Sequence, residues 1–113
     1  MTIEEFKLSV ADGKLPAGLS PALTALWQDA RGDWEAAHRI AQEIDDKNGA
    51  WIHAYLHRKE GDASNAAYWY RRAGRPVPSD AVEDEWHRVV AELICLHALT
   101  VAVSVRRKPL HGS

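Results

Sequence analysis

Three histidines carry the most specific chemistry in this chain. His53 and His57 lie one helical turn apart in the run AWIHAYLHRKEG, and side chains at i and i+4 leave the same face of a helix. Two imidazoles so placed are what a metal site on a helix needs. His38 joins them if its helix and the next form an antiparallel hairpin turning near residues 46–49. His38 and His57 would then stand at about the same height, roughly 10 Å from the turn at about 1.5 Å per residue. Three nitrogens converging there would suit a divalent metal such as Zn or Ni, or an acid–base enzyme built on His38, His53 and His57. No HExxH carboxylate accompanies the pair. The same spacing also serves half-buried, purely structural imidazoles bonded to nearby carboxylates or carbonyls. Protonation separates the alternatives: crowding and burial push an imidazole below its usual ~6.5, whereas a carboxylate partner such as Glu43 or Glu60 raises it.

Other reactive constellations are missing from the sequence. It has no Gly-rich phosphate loop, no GxSxG elbow and no paired cysteine ligands. Cys95 is the single cysteine, which rules out an internal disulfide and fits a reducing cytoplasm. His97 lies two positions from Cys95, on a different helical face, so a Cys–His nucleophile is not expected. Glu60 and Asp62 flank Gly61 and read as helix caps. With 14 Lys+Arg against 16 Asp+Glu, there is no electrostatic case for nucleic acid or an anionic membrane. Arg106, Arg107 and Lys108 are too few for a polybasic tail. The start, MTIEEFK, is acidic where a signal peptide is basic and apolar. The apolar stretch 93–105 is interrupted by His97 and too short to span a bilayer. The 113 residues are expected to form one soluble, cytoplasmic domain.

The elements that must position the histidines read as helices throughout. Thr2 and Glu5 form a capping box for a helix over 3–11, closed by Gly13. Ser20-Pro21 opens a second helix to about residue 31, with Ala22, Leu23, Leu26 and Trp27 as its buried stripe. Asp33 caps a third, in which Trp34, Ala37, Ala41 and Ile44 face inward, and DDKNG ends it. A fourth helix, about 50–60, places Trp51, Ile52, Tyr55 and Leu56 on one arc and Ala50, His53, Ala54 and His57 on the other, as a central helix would. After Gly61, Asp62 or Ser64 caps a fifth helix carrying Ala66, Trp69, Tyr70 and Ala73, ended by RPVP. Trp69 and Tyr70 are adjacent, so one of them must sit at a boundary. Asp80 and Glu83 form another capping box for a last helix to about 99, striped by Val82, Trp86, Val89, Leu93 and Leu96. It is expected to cap the exposed face of the preceding hairpin. Residues 100–113 stay open between a frayed helix end, an extended segment and a disordered tail.

One echo organises these elements. Residues 32–44, GDWEAAHRIAQEI, return in degenerate form as residues 61–73, GDASNAAYWYRRA, with Ala37 and Ala66 equivalent. Self-similarity on this scale predicts stacked helical hairpins, here 20–46 and 49–78. Gly61, Asp62, Ala66, Tyr70, Ala73 and Pro78, with Ala54 before them, resemble the tetratricopeptide (TPR) motif. Gly32, Asp33, Trp34 and Ala37 fit it in the first copy; Ala41 is smaller than the usual aromatic, no proline follows, and the step from Gly32 to Gly61 is shorter than the usual ~34 residues. The longer string HAYLHRKEGDASNAAYWYRRAGRP is also similar to one in small uncharacterised bacterial and fungal proteins, a likeness that implies no activity.

The TPR resemblance implies an all-α domain of stacked hairpins with an N-terminal helix and a C-terminal capping helix. It also implies a protein- or peptide-binding adaptor needing no cofactor. Its ligand-facing positions fall on Trp51, Tyr55 and Arg58. Neighbouring Tyr68, Trp69, Arg71 and Arg72 add flat rings and planar cations, which concentrate binding energy and suit an acidic peptide segment. The competing reading places the aromatics in the core, as one tryptophan in each helix from the second to the sixth would suggest.

Overall fold

The computed structural model describes the backbone of residues 1–112 and the side chains of residues 1–98. The described residues form six helices and no strand: α1 Ile3–Asp12, α2 Pro21–Ala30, α3 Trp34–Gln42, α4 Lys47–Glu60, α5 Ala63–Ala73 and α6 Val82–Gly112. The chain is all-α. Among the described residues no helix is long and apolar enough to cross a membrane. Of the open segment 100–113, the backbone continues α6 to Gly112, and Ser113 lies outside the described residues.

Most helix starts follow local chemistry. Thr2 and Glu5 exchange the two bonds of a capping box, Ser20 accepts from the Leu23 N–H ahead of Pro21, and Asp33 accepts from the Ala36 N–H. Asp62, rather than Ser64, caps α5 through the Asn65 N–H. Each such cap contributes about 1 kcal/mol. Two starts depart from expectation. α4 begins at Lys47 rather than near residue 50, because Asp46 Oδ1 accepts the Gly49 N–H at 2.9 Å and draws KNG into the first turn. Gly49 must lack a side chain there, since a Cβ would stand 2.7 Å from the Ile44 Cβ. α6 begins at Val82 without the Asp80–Glu83 box, and the Asp80 carboxylate instead binds the Arg88 guanidinium with both oxygens at 3.0 Å.

α2 folds onto α3, α4 onto α5, and α3 packs against α4 between the two pairs. Ala37, Ala54 and Ala66 are buried at these contacts, where a larger side chain would hold the helices apart. α4 is central: every residue from Gly49 to His57 is buried. Of the adjacent aromatics on α5, Tyr70 enters the core and Trp69 stays half-buried. α6 contacts the second hairpin through α4 and extends over α1 and α2 as well, with Val89, Val90 and Leu93 buried in the core and Leu96 and Cys95 left exposed.

Candidate metal centre

α3 and α4 bring His38, His53 and His57 together. Their register is held by Trp34, whose indole N–H crosses to the Leu56 carbonyl oxygen at 2.9 Å. The Trp34 ring then lies flat against His38, centroids 4.8 Å apart, and edge-on to His57 at 5.9 Å. From the other side Trp69 of α5 stacks on His53 at 3.9 Å and 11°. Two tryptophans thus clamp the histidines into fixed orientations. His53 and His57 lie stacked at 4.9 Å along α4, and His38 meets both with its ring turned across theirs.

The nitrogens converge. His38 Nε2 and His53 Nε2 are 3.0 Å apart, and one donor atom from each of the three residues falls within 4.8 Å of the others. Metal–nitrogen bonds of about 2.0–2.1 Å in a tetrahedral site place neighbouring ligand nitrogens roughly 3.3–3.4 Å apart, so the His38–His53 pair is within a few tenths of an ångström of a coordination edge. His57 Nδ1 sits 2.6 Å from Glu60 Oε2, which fixes that ring and leaves its Nε2 as the free donor. A carboxylate behind a ligating imidazole is the usual outer partner in metal sites. Of the two carboxylates considered from sequence, Glu60 is thus the one in contact.

A metal needs neutral imidazoles. Burial, together with the charges His38 and His57 would carry, pushes His53 down to about 4. His38 is also lowered, by burial first and then by His57. A second cluster, His57, Glu60 and Asp62, has its acids exposed, and Asp62 is already engaged in capping α5.

The opposite face of α4 is built from other residues expected at a ligand surface, and the structure corrects that expectation. Trp51 and Tyr55 are buried rather than exposed, because the first turns of α6 lie over them. The Trp51 N–H donates to Glu85 Oε2 at 3.2 Å, and Arg58 pairs with Glu85 Oε1 at 2.9 Å and also donates to the Asp80 carbonyl. Tyr70 donates to the same Glu85 carboxylate. Tyr55 donates to Asp29 Oδ2 at 2.8 Å, and Lys59 pairs with Asp29 Oδ1 at 2.9 Å. Burial and the adjacent carboxylates push both phenols far up, so they remain protonated donors. The remaining candidates lie on α5: Tyr68, Arg71 and Arg72 are exposed, with Arg72 set over the Tyr68 and Trp69 rings.

Sequence reasoning missed Trp34 as the clamp on His38, and Asp29 and Glu85 as buried acids. Trp34 had a signal, since it precedes His38 by four residues on one helical face. The two acids had none, because nothing within a turn of either tells which long-range donors will meet it. No protein-family model, no curated protein and no solved structure matches this chain.

Proposed function

We propose that this protein binds one divalent transition metal through His38, His53 and His57, and that this is the basis of its activity. The observation that carries the reading is the 3.0 Å approach of His38 Nε2 to His53 Nε2 within a three-histidine cluster. The same approach also makes an ordinary N–H···N hydrogen bond between neutral imidazoles, one donating and one accepting; the convergence of a third imidazole is what suits a cation. Three imidazole nitrogens suit Zn, Ni, Co or Cu. Because all three ligands are neutral, the ion keeps its double charge and an open position, at which it can polarise an oxygen ligand or lower the pKa of a bound water.

Dialysis of chelator-treated, untagged protein against Zn²⁺ or Co²⁺ tests this. One equivalent per chain is expected, lost in His53→Ala and His38→Ala and kept in His87→Ala, which lies outside the cluster. Equal metal uptake by all four proteins would overturn the reading. The protein- or peptide-binding role suggested by the TPR resemblance draws its remaining support from one observation, the exposed Tyr68, Arg71 and Arg72 on α5. An acidic peptide that binds the metal-free protein and is lost on Arg71→Ala/Arg72→Ala would favour that second reading.

A further inference from the structure

α6 leaves the body of the protein while its sequence is still apolar. Its last residue buried in the core is Leu93, with Ile94 packed against that core, and Cys95, Leu96, His97 and Ala98 are all exposed. One helical turn takes about 3.6 residues, so here the helix stands clear on every side. The backbone nevertheless continues helical to Gly112. Residues 94–105, ICLHALTVAVSV, include no Asp, Glu, Lys or Arg, and Arg106, Arg107 and Lys108 follow at once. A helix that is apolar all round is one that is buried against something. Beside the exposed turn lies a cleft of about 620 Å³ between α2, the end of α3 and α6, walled by Ala22, Ile40, Ile44, Leu93 and Leu96, with Glu43 among its acids.

We propose that the occupant is the same segment of a second copy of this chain, the two α6 helices pairing antiparallel about a two-fold axis between residues 99 and 100. A two-fold interface needs a surface that complements itself, and this segment has one: an apolar run with Glu92 before it and Arg106, Arg107 and Lys108 after it. Centring the pair on the middle of the run sets the two runs side by side. Leu96 then faces Val103 of the partner subunit, Leu99 faces Thr100 of the partner subunit, and Glu92 faces Arg107 of the partner subunit. Glu92, Leu96, Leu99, Val103 and Arg107 recur at intervals of three or four, so these positions share one helical face. The partner's basic end thus arrives at the level of Leu93, where Glu43 lines the cleft. A parallel pairing would set the three cations against their own copies, a repulsive arrangement. Glu92 already meets Arg75 at 2.9 Å, with both side chains open to solvent, and such a surface pair is easily rearranged.

Sedimentation equilibrium of the metal-free, full-length protein tests this. The expected mass is twice the 12.6 kDa of the chain, and Val103→Glu should weaken dimerisation by more than about tenfold while the helical circular dichroism is retained. Cysteine crosslinking tests the register without disturbing the apolar run with charge. In a Cys95→Ser background, Leu96→Cys and Val103→Cys chains mixed under oxidation should join to each other, because a disulfide needs Cα atoms within about 7 Å. Each alone should not, since its two copies stand roughly 10 Å apart along the axis at about 1.5 Å per residue. A monomeric parent, or a Val103→Glu dimer as tight as the parent's, would overturn the proposal. Ready self-crosslinking of Leu96→Cys would overturn the antiparallel register, and a monomer that floats with phosphatidylcholine vesicles would give the segment to a membrane instead.

Discussion

The two faces of α4 solve the burial of polar groups in opposite ways. On one, Trp51, Tyr55 and Arg58 meet Glu85 and Asp29, so that each donor ends on a carboxylate from another helix. On the other, His53 and His57 meet His38, a group of their own kind, and only His57 also reaches a carboxylate, that of Glu60 on the same helix. The first face is closed: charge and hydrogen bonds are complemented across α2, α4, α5 and α6, and the network holds these helices together. The second gathers three imidazoles with no partner from α2 or α6, the arrangement on which the proposed metal site rests. Burial by itself distinguishes neither, since His53, His57, Glu85 and Asp29 are all buried. What differs is that Glu85 and Asp29 take donors arriving from other helices, whereas His53 meets another imidazole and the one carboxylate at the cluster, Glu60, lies on α4 itself.

Breaking the closed face should have the largest effect on stability. Glu85→Ala strands Arg58, the Tyr70 hydroxyl and the Trp51 N–H beneath α6, and losing one side of a buried charged network costs about 3–5 kcal/mol. Urea unfolding measures this. A midpoint unchanged from the parent would mean α6 is held by its apolar contacts with little help from the carboxylate.

The histidine face should instead respond to acid. The folded-state pKa of His53, about 4, lies below its ordinary value of 6.5, so between these values the unfolded chain binds the extra proton. Stability of the metal-free protein is therefore full above pH 6.5, falls as the solution is acidified towards 4, and levels off below. The total loss is on the order of 3 kcal/mol. His53→Gln should flatten this part of the curve. A slope equally steep in that variant would assign the acid sensitivity to other groups.

A finer probe is the carboxylate behind the histidines. Glu60→Gln keeps the shape but weakens the hold on His57 Nδ1, and loss of such an outer partner typically lowers metal affinity about 10–100-fold. Calorimetric Zn²⁺ titration of both proteins would show it. Identical affinities would make the Glu60 contact incidental to the metal site.

The smallest effect is expected outside both faces. Arg71 is exposed, and Arg71→Ala should change stability by less than about 0.5 kcal/mol. Arg58→Ala, which leaves the buried Glu85 carboxylate without its guanidinium, should cost several times more. Equal losses from the two arginines would contradict the division between a structural face of α4 and an exposed face of α5.

Much of the fold was legible in short stretches of sequence. Thr2 with Glu5, Ser20-Pro21, Asp33 and Asp62 mark helix starts because a cap acts over three residues, and the spacing of His53 and His57 fixes a shared face because one helical turn repeats every 3.6 residues. Even the division between Trp69 and Tyr70 followed from adjacency on a helix. What exceeded this reach depended on helices meeting. Asp80 carries a capping signal, yet it is bound to Arg88 and Arg58. Trp51, Tyr55 and Arg58 occupy positions that a TPR-like stack would turn towards a ligand, yet α6 covers them and supplies Glu85.

The sequence by itself therefore determined the helices, their order and the pairing of two histidines on α4, since these depend on interactions within a turn or two of chain. Only the tertiary structure decided that His38 stands 3.0 Å from His53 and that Glu85, rather than a ligand, meets Trp51 and Arg58. Contacts between residues far apart in the chain are selected by how whole helices pack, and no local pattern encodes that choice.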